Sequence, residues 1–177
     1  MTDQDNVIRI RPATPADVPE IVRCEWTSTS EGEEVGFGTP VASRLFRDAS
    51  RLAGAWHPPN HVGSEEVYVA ESNGRLVGYT LLEDRDAVLE LDTISISGDS
   101  QRKGVGTRLL RFVEEKARTE GKSAVTTGTS RNAEGVPWKS FAWWQAQGYR
   151  VTGEVVNDWT RRVGEGVREI RMRKDLA

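Results

Sequence analysis

The sequence predicts an α/β fold in which a mixed, mostly antiparallel sheet of about seven strands carries helices on both faces. Two observations lead to this prediction. Alternating apolar residues separated by turn signals indicate a series of antiparallel strands in the middle of the chain. A strand, a glycine-containing loop, a long amphipathic helix and a further strand then follow, in the order of a β-loop-α-β unit. The resulting element order is β-α-α-β-β-β-α-β-α-β-β.

The length and composition indicate one globular domain over residues 1–177. Hydrophobic residues make up 37% of the chain and charged residues 29%, and the net charge is −3. These values give no reason to expect a nucleic-acid or membrane partner. No stretch approaches the roughly 20 apolar residues of a membrane-spanning helix, and residues 1–6 lack the features of a secretory signal. The single cysteine, Cys24, excludes an internal disulfide, and we expect a cytoplasmic protein.

The first third of the chain contains one predicted strand and two predicted helices. The strand covers residues 7–11, and Thr14-Pro15 then opens a helix with a capping residue and a proline at its first position. A second helix is predicted from Thr39 to about Trp56. The segments 30–38 and 57–64 are predicted to be loops.

The middle of the chain is predicted to form an antiparallel meander. Strands at residues 67–71 and 76–82 flank Asn73-Gly74, a pair typical of a tight hairpin because both central positions need positive φ. A turn at residues 84–86 leads into a third strand at residues 87–96. The elements predicted after it are a helix at 105–119 that ends before Gly121, a strand at 124–127, a helix at 138–147, and strands at 149–156 and 167–173.

The loop between the third meander strand and the long helix carries the strongest functional signal. A helix N-terminus presents unpaired N–H groups and a partial positive charge, which suit a diphosphate. Gly104 and Gly106 let the backbone approach a ligand closely, and Arg102 and Lys103 add positive charge. The spacing matches neither a nucleotide P-loop nor a dinucleotide fingerprint. Taken alone, the loop fits either a phosphate site or a glycine-rich turn.

The segment Gln101–Gly106 resembles motif A of the Gcn5-related N-acetyltransferase (GNAT) superfamily, whose loop reads Gln/Arg-x-x-Gly-x-Gly/Ala. Residues 94–97 resemble the apolar stretch before that loop, and Gln147-Gly148-Tyr149 resembles the entry into the penultimate strand of the family. The resemblance implies acetyl-coenzyme A as co-substrate and a fold in which the strands at 87–96 and 124–127 splay apart. It places the donor on Ile94, Ser95, Ile96, Gln101, Arg102, Lys103, Gly104, Val105, Gly106, Thr107 and Asn132.

Transfer to an amine requires a base, because an alkylamine with a pKa of about 10 is protonated at neutral pH. Glu90 precedes Gln101 by eleven residues, which is the spacing of the catalytic glutamate in the histone-acetylating branch of the superfamily. Asp92 is its neighbour on the same strand face. Three candidates stay open for this base: Glu90, Asp92 and an ordered water chain.

The departing thiolate has no obvious acid in the sequence. Many family members carry a tyrosine four residues before the glycine that corresponds to Gly148, whereas this chain has Trp144 there. An indole N–H is no practical acid. The thiolate therefore leaves unassisted, or Ser140 or a water molecule protonates it.

The acceptor side is marked by an unusual number of tryptophans, six in the chain. Trp26, Trp138 and Trp144 are candidates for an aromatic pocket that holds a cationic amine. Glu31, Glu33 and Glu34 would add negative charge. The alternative is that the tryptophans belong to the core and the glutamates to a solvated loop.

The predicted function is transfer of an acetyl group to a primary amine of a small molecule or a peptide. Two alternatives stay open, a non-catalytic acyl-coenzyme A sensor and a protein-lysine acetyltransferase. A homodimer is possible, since the resemblance implies that the two last strands often form such an interface. His57 and His61 lack acidic or thiol companions, so we predict no metal site.

Overall fold

The computed structural model describes residues 7–28 and 45–177. Its helices are α1 Val18–Ser28, α2 Ala49–Gly54, α3 Val105–Thr119, α4 Ser140–Ala146 and α5 Asp158–Val163, with 3-10 turns at Pro15–Asp17, Leu45–Arg47 and Gly98–Ser100. Its strands are β1 Ile8–Pro12, β2 Trp56–His57, β3 His61–Val62, β4 Glu65–Ser72, β5 Arg75–Arg85, β6 Val88–Ile96, β7 Ala124–Arg131, β8 Arg150–Val155 and β9 Arg168–Asp175.

The strands form one sheet with the order β2-β3-β4-β5-β6-β7-β9-β8, and β1 pairs with β4 beside this path. Every pairing is antiparallel except that of β6 with β7. The mixed, mostly antiparallel sheet is therefore confirmed. Nine strands replace the predicted seven because two of them, β2 and β3, contain only two residues each.

Two apolar cores lie on opposite faces of the sheet, so the helices cover both faces as predicted. Helix α3 packs Leu109, Leu110 and Val113 into one core together with residues of β5, β6 and β9. Helix α1 packs Val18 and Ile21 into the other. No helix in the described part of the chain combines the length and the apolar character that a membrane crossing requires.

The strongest local signals of the sequence are confirmed. Asn73 and Gly74 join β4 to β5 with φ angles of 53° and 73°. Helix α3 covers the predicted residues 105–119. The chain leaves the helix through Gly121, whose φ of 74° is the left-handed conformation that glycine adopts without strain.

The region around residue 50 differs from the prediction. The start of the predicted second helix at Thr39 lies outside the described residues, and the helix α2 ends at Gly54. Trp56 already belongs to β2, which pairs with β3 across the predicted loop 57–64. The hairpin turns through a cis peptide bond between Pro58 and Pro59. Two paired residues per strand are too few to produce an alternating pattern.

Helix α5 is absent from the sequence prediction. Its start carries a capping box, in which Asn157 Oδ1 accepts from the N–H of Thr160 at 3.0 Å and the Thr160 hydroxyl accepts from the N–H of Asn157 at 2.9 Å. Asn157 is the sequence signal for the start of this helix. The sequence does not predict the helix because six residues carry little apolar periodicity.

The parallel pairing of β6 with β7 is short. It joins Val88–Glu90 to Ala124–Thr126 and then ends. On the other edge of β6, Leu91 pairs with Leu82 and Thr93 with Leu81, so Asp92 is the extra residue of a β-bulge. A bulge bends its strand and increases the local twist. The strands β6 and β7 therefore diverge after Glu90, as the family resemblance implied.

Candidate active site

A cavity of about 380 Å³ opens beside the divergent part of β6. Its walls come from the end of α1, the second half of β6, the loop before α3, the first turn of α3 and the start of α4. The lining residues are Ser28, Ile94, Ser95, Ile96, Gln101, Arg102, Gly104, Gly106, Thr107, Lys139, Ser140 and Trp143.

The edge of β6 presents unpaired backbone groups to this cavity. The N–H of Ser97 donates to the carbonyl of Val77 at 2.9 Å, which makes this a hydrogen-bonded pair of the β5–β6 ladder. Opposite residues of an antiparallel ladder alternate between hydrogen-bonded and non-bonded pairs. Ile94 and Ile96 are therefore non-bonded positions, and their N–H and C=O groups point away from β5. These groups lie along the cavity. The carbonyl of Ile96 accepts from Gln101 Nε2 at 3.2 Å, and the remaining groups take no part in the β5–β6 ladder.

The loop before α3 is fixed by one side chain. Gln101 Nε2 donates to the carbonyl of Ser28 at 2.9 Å and to the carbonyl of Ile96 at 3.2 Å, which ties the loop to α1 and to β6. Arg102 and Gly104 then adopt positive φ angles of 61° and 82°. These two conformations turn the chain sharply into the first turn of α3.

The first turn of α3 has no side-chain cap, because its N-cap residue is Gly104. The N–H groups of Val105, Gly106 and Thr107 are therefore open to an external acceptor. A Cβ on Gly106 would lie 3.7 Å from Trp143 Cζ2, so glycine keeps this wall of the cavity open. With Arg102 and Lys139 on the lining, the site fits a diphosphate.

Three predicted donor-binding residues do not line the cavity. The side chain of Val105 is buried in the core, so only its backbone faces the first turn of α3. Lys103 is exposed beside the loop. Asn132 Oδ1 accepts from the N–H groups of Glu134 and Val136 at 3.1 and 2.9 Å and so closes a turn instead.

Of the three tryptophans predicted as candidates for an acceptor pocket, two lie in the core, which was the alternative interpretation. Trp144 is 0% exposed and packs edge-on against Tyr149, and Trp138 is 4% exposed and packs edge-on against Trp159. Trp26 is exposed, but its ring stacks under the Arg47 guanidinium at 4.6 Å, outside the cavity lining.

Four lining residues were missing from the predicted site residues: Ser28, Lys139, Ser140 and Trp143. Trp143 shares its helix with Trp144, and helical spacing does not tell which of two adjacent rings faces inward. Ser140 was named only as a possible acid. Its hydroxyl lies 2.7 Å from that of Thr129, on the strand that diverges from β6.

Glu90 is held in a buried polar cluster outside the cavity lining. It is 2% exposed. The Thr126 hydroxyl donates to Glu90 Oε2, and Arg171 Nη2 donates to the same oxygen at 2.7 Å. Arg85 Nη1 lies 3.6 Å from the same oxygen. A carboxylate bound by these donors is poorly placed to take a proton from a substrate, so the geometry favours a structural role over the predicted role as base.

Asp92 is exposed at the bulge and shares a hydrogen bond with Glu65. Burial and the bond to Asp92 raise the pKa of Glu65 to about 9. Glu65 therefore keeps its proton at neutral pH and can donate it in a hydrogen bond to the Asp92 carboxylate. Asp92 is not part of the cavity lining, and its role as base stays a prediction.

Removing Arg171 should destabilise the protein strongly. We expect Arg171→Met to lower the free energy of unfolding by about 3 kcal/mol, because Glu90 then loses its main charge partner inside the fold. Urea unfolding measures this loss. The matched control is Arg150→Met, whose partner Asp175 is largely exposed, and it should change little. Equal effects of the two substitutions would contradict the structural role of the Glu90 cluster.

Glu65 should make stability depend on pH. Its pKa is about 9 in the fold against an ordinary value of 4.5, so folding takes up a proton between these values. The stability contribution is complete below pH 4.5 and is lost as the pH rises through about 9. In urea unfolding, the free energy of unfolding should fall less between pH 5 and pH 9 for Glu65→Gln than for the wild type. The exposed Glu115→Gln should behave like the wild type, and parallel curves for all three proteins would refute the raised pKa of Glu65.

Comparisons with known proteins agree with this geometry. The sequence model of the Acetyltransferase (GNAT) family matches residues 24–136, which is more than half of the chain. A comparison with curated proteins gave no sequence match. Solved structures do match over nearly the whole chain. With identities below 25%, these matches show a shared fold.

Three of these structures are informative. The ribosomal-protein-S18-alanine N-acetyltransferase from Escherichia coli has 15% identity and a TM-score of 0.68, over 97% of this chain and 95% of that one. The ribosomal-protein-alanine N-acetyltransferase from Brucella melitensis has 22% identity and a TM-score of 0.68, over 95% and 99%. A GNAT family acetyltransferase from Elizabethkingia anophelis with acetyl-CoA bound has 19% identity and a TM-score of 0.62, over 98% and 100%.

Proposed function

The chain belongs to the GNAT acetyltransferase family, and we propose that it transfers the acetyl group of acetyl-coenzyme A to a primary amine of a small molecule or a peptide. One observation carries this proposal. The same cavity combines the unpaired backbone edge of β6 with the uncapped first turn of α3. The first feature suits an extended amide-containing chain, and the second suits a diphosphate.

On the donor side, the N–H groups of Val105, Gly106 and Thr107 hold the diphosphate, with Arg102 and Lys139 as nearby cations. The pantetheine arm lies along the backbone groups of Ile94 and Ile96. The bound donor supplies a thioester, in which the acetyl carbon is activated for attack. An N–H on this edge of β6 stabilises the oxyanion that forms as the amine attacks.

Protonation of the leaving sulfur does not involve Trp144, which is fully buried. Ser140 and a water molecule are the alternatives for this step. Ser140 lies on the cavity wall, and its hydroxyl lies within hydrogen-bond distance of the Thr129 hydroxyl. A serine of ordinary acidity can donate a hydrogen bond to the departing sulfur. A thiol pKa near 8.5 makes a strong acid unnecessary.

The chemistry of the reaction and the fold relatives support an amine as the acceptor. Two of those relatives are N-acetyltransferases of an alanine in a ribosomal protein, which supports a peptide α-amine as one acceptor to be tested. A non-catalytic sensor is the alternative, because the usual tyrosine position is occupied by a core tryptophan.

The direct test is thiol release from acetyl-coenzyme A with an amine panel of spermidine, an aminoglycoside, an Ala-initiated peptide and a lysine-containing peptide with a blocked N-terminus. Calorimetry with acetyl-coenzyme A accompanies the assay. Binding with turnover of one amine supports the proposal. Binding without turnover favours the sensor, and absence of binding refutes both.

Gly106→Ala should weaken donor binding without unfolding the protein. The added Cβ would have its nearest neighbour atom at 3.7 Å, an ordinary contact, yet it would occupy the wall over the first-turn amides. We expect the dissociation constant for acetyl-coenzyme A to rise about 10-fold or more in calorimetry, with an unchanged melting temperature. The control is Gly54→Ala, where no atom lies within 4 Å of the added Cβ. Wild-type affinity of Gly106→Ala would contradict the assignment of the loop.

A further inference from the structure

A buried carboxylate, Glu25, lies behind the cavity wall on α1. It is 1% exposed. The Tyr79 hydroxyl donates to Glu25 Oε2 at 2.6 Å, and the Ser95 hydroxyl donates to the same oxygen at 3.1 Å. Arg47 lies on the other side, with its Nε 4.0 Å from Oε1. A single glutamate in an amphipathic helix carries no motif, so the sequence alone gives no signal for Glu25.

The second oxygen of this carboxylate, Oε1, accepts no hydrogen bond from any of the described residues. Buried polar atoms almost always have partners, and an exception points to a functional role or to a bound molecule. Within the described part of the chain, the carboxylate is therefore held by hydrogen bonds through Oε2 alone, and the hydroxyl of Ser95 is one of the two groups that hold it.

Ser95 connects this carboxylate to the cavity. It lines the cavity wall, and its neighbours on β6, Ile94 and Ile96, provide the unpaired backbone edge. Because the serine donates its only hydroxyl hydrogen to Glu25, its oxygen keeps lone pairs that can accept from another donor. An ammonium group in the cavity is a donor of the right kind. Ser28, one helical turn after Glu25, lines the cavity as well.

We propose that Ser95 and Glu25 form a proton relay that activates the acceptor amine, an inference that rests on the proposed function. The ammonium gives one N–H proton to the Ser95 oxygen while the Ser95 hydroxyl proton moves to Glu25 Oε2. The nitrogen becomes a neutral amine with a free lone pair, and Glu25 becomes a carboxylic acid. As the C–N bond forms and the C–S bond breaks, a second nitrogen proton goes to the sulfur, and Glu25 later releases its proton to solvent.

The groups packed around Glu25 do not compete for this proton. Burial raises the pKa of Tyr79 well above its ordinary value and that of Cys24 to about 12, so both keep their protons at neutral pH. Arg47 is a hydrogen-bond donor without a lone pair to offer. Ser95, by contrast, donates directly to Glu25 Oε2, so a proton that it passes on reaches that oxygen.

The two carboxylates predicted as bases lie away from the cavity wall. Glu90 lies where β6 and β7 are still paired, and it accepts from Arg171 and Thr126. Asp92 lies at the bulge, next to Glu65. Neither carboxylate lines the cavity, whereas Ser95 does.

The test compares Glu25→Gln, Ser95→Ala and Ser95→Thr with the amine that the wild type acetylates best. Loss of a positioned base lowers rates by about 10²–10⁴. We expect kcat/KM to fall about 100-fold or more in the first two variants. The remaining activity of Glu25→Gln should rise with pH toward the pKa of the amine itself, about 10, because only the neutral amine can then attack. Ser95→Thr should restore most of the activity through its hydroxyl. The double variant should be no worse than either single variant, because the two groups act as one unit.

The matched control is Glu114→Gln, on the opposite face of the sheet. Glu114 is buried like Glu25 and accepts from the Tyr149 hydroxyl at 3.2 Å and from Lys174 Nζ at 3.1 Å. It should keep the wild-type pH profile. Calorimetry with acetyl-coenzyme A should give wild-type affinity for Glu25→Gln and Glu114→Gln, which separates lost chemistry from lost folding.

The outcomes separate the relay from the proposed function. A wild type that acetylates an amine, with Glu25→Gln or Ser95→Ala retaining its rate and pH profile, overturns the relay alone. A wild type that acetylates none of the amines in the panel overturns the proposed function and the relay together. A rate loss in Ser95→Ala that Ser95→Thr does not rescue overturns the role of the hydroxyl.

Discussion

The site depends on a parallel strand pairing that stops after three residue pairs. Val88–Glu90 pairs with Ala124–Thr126, and the bulge at Asp92 then turns β6 away. If the ladder continued, the backbone groups of Ile94 and Ile96 would bond to β7 and the cavity would close. The cluster of Glu90, Thr126 and Arg171 clamps the last paired position. A buried ion pair adds little net stability, but it can fix the point at which two strands part.

The cavity joins two sources of unused backbone hydrogen bonds. One is the strand edge that the divergence exposes, and the other is the first turn of α3, which Gly104 leaves without a side-chain cap. Gln101 lies in the loop that connects them. Its side-chain amide donates to a carbonyl of β6 and to a carbonyl of α1, and these bonds hold the loop in place. Backbone groups at both places are held by secondary structure, so a ligand meets donors that are already oriented.

Much of the fold was readable from local signals. The pair Asn73-Gly74 predicted the hairpin correctly. The apolar periodicity between Gly104 and Gly121 predicted both ends of α3 correctly. The donor loop Gln101–Gly106 could also be predicted from the sequence, because its motif consists of residues that are adjacent in the chain. Trp144 and Glu25 show the limit. Which of two adjacent tryptophans is buried, and which carboxylate lies behind the cavity, is decided by packing between elements that are distant in sequence.

The central claim is that the backbone of β6 and the first turn of α3 bind one ligand together. Its most direct test is a titration of the ¹⁵N-labelled protein with coenzyme A, followed by the amide resonances. The amide resonances of Ile94, Ile96 and Val105–Thr107 should shift most and at the same ligand concentration, while those of β8 stay in place. Shifts confined to β8 and β9, or shifts of β6 without those of α3, would contradict it.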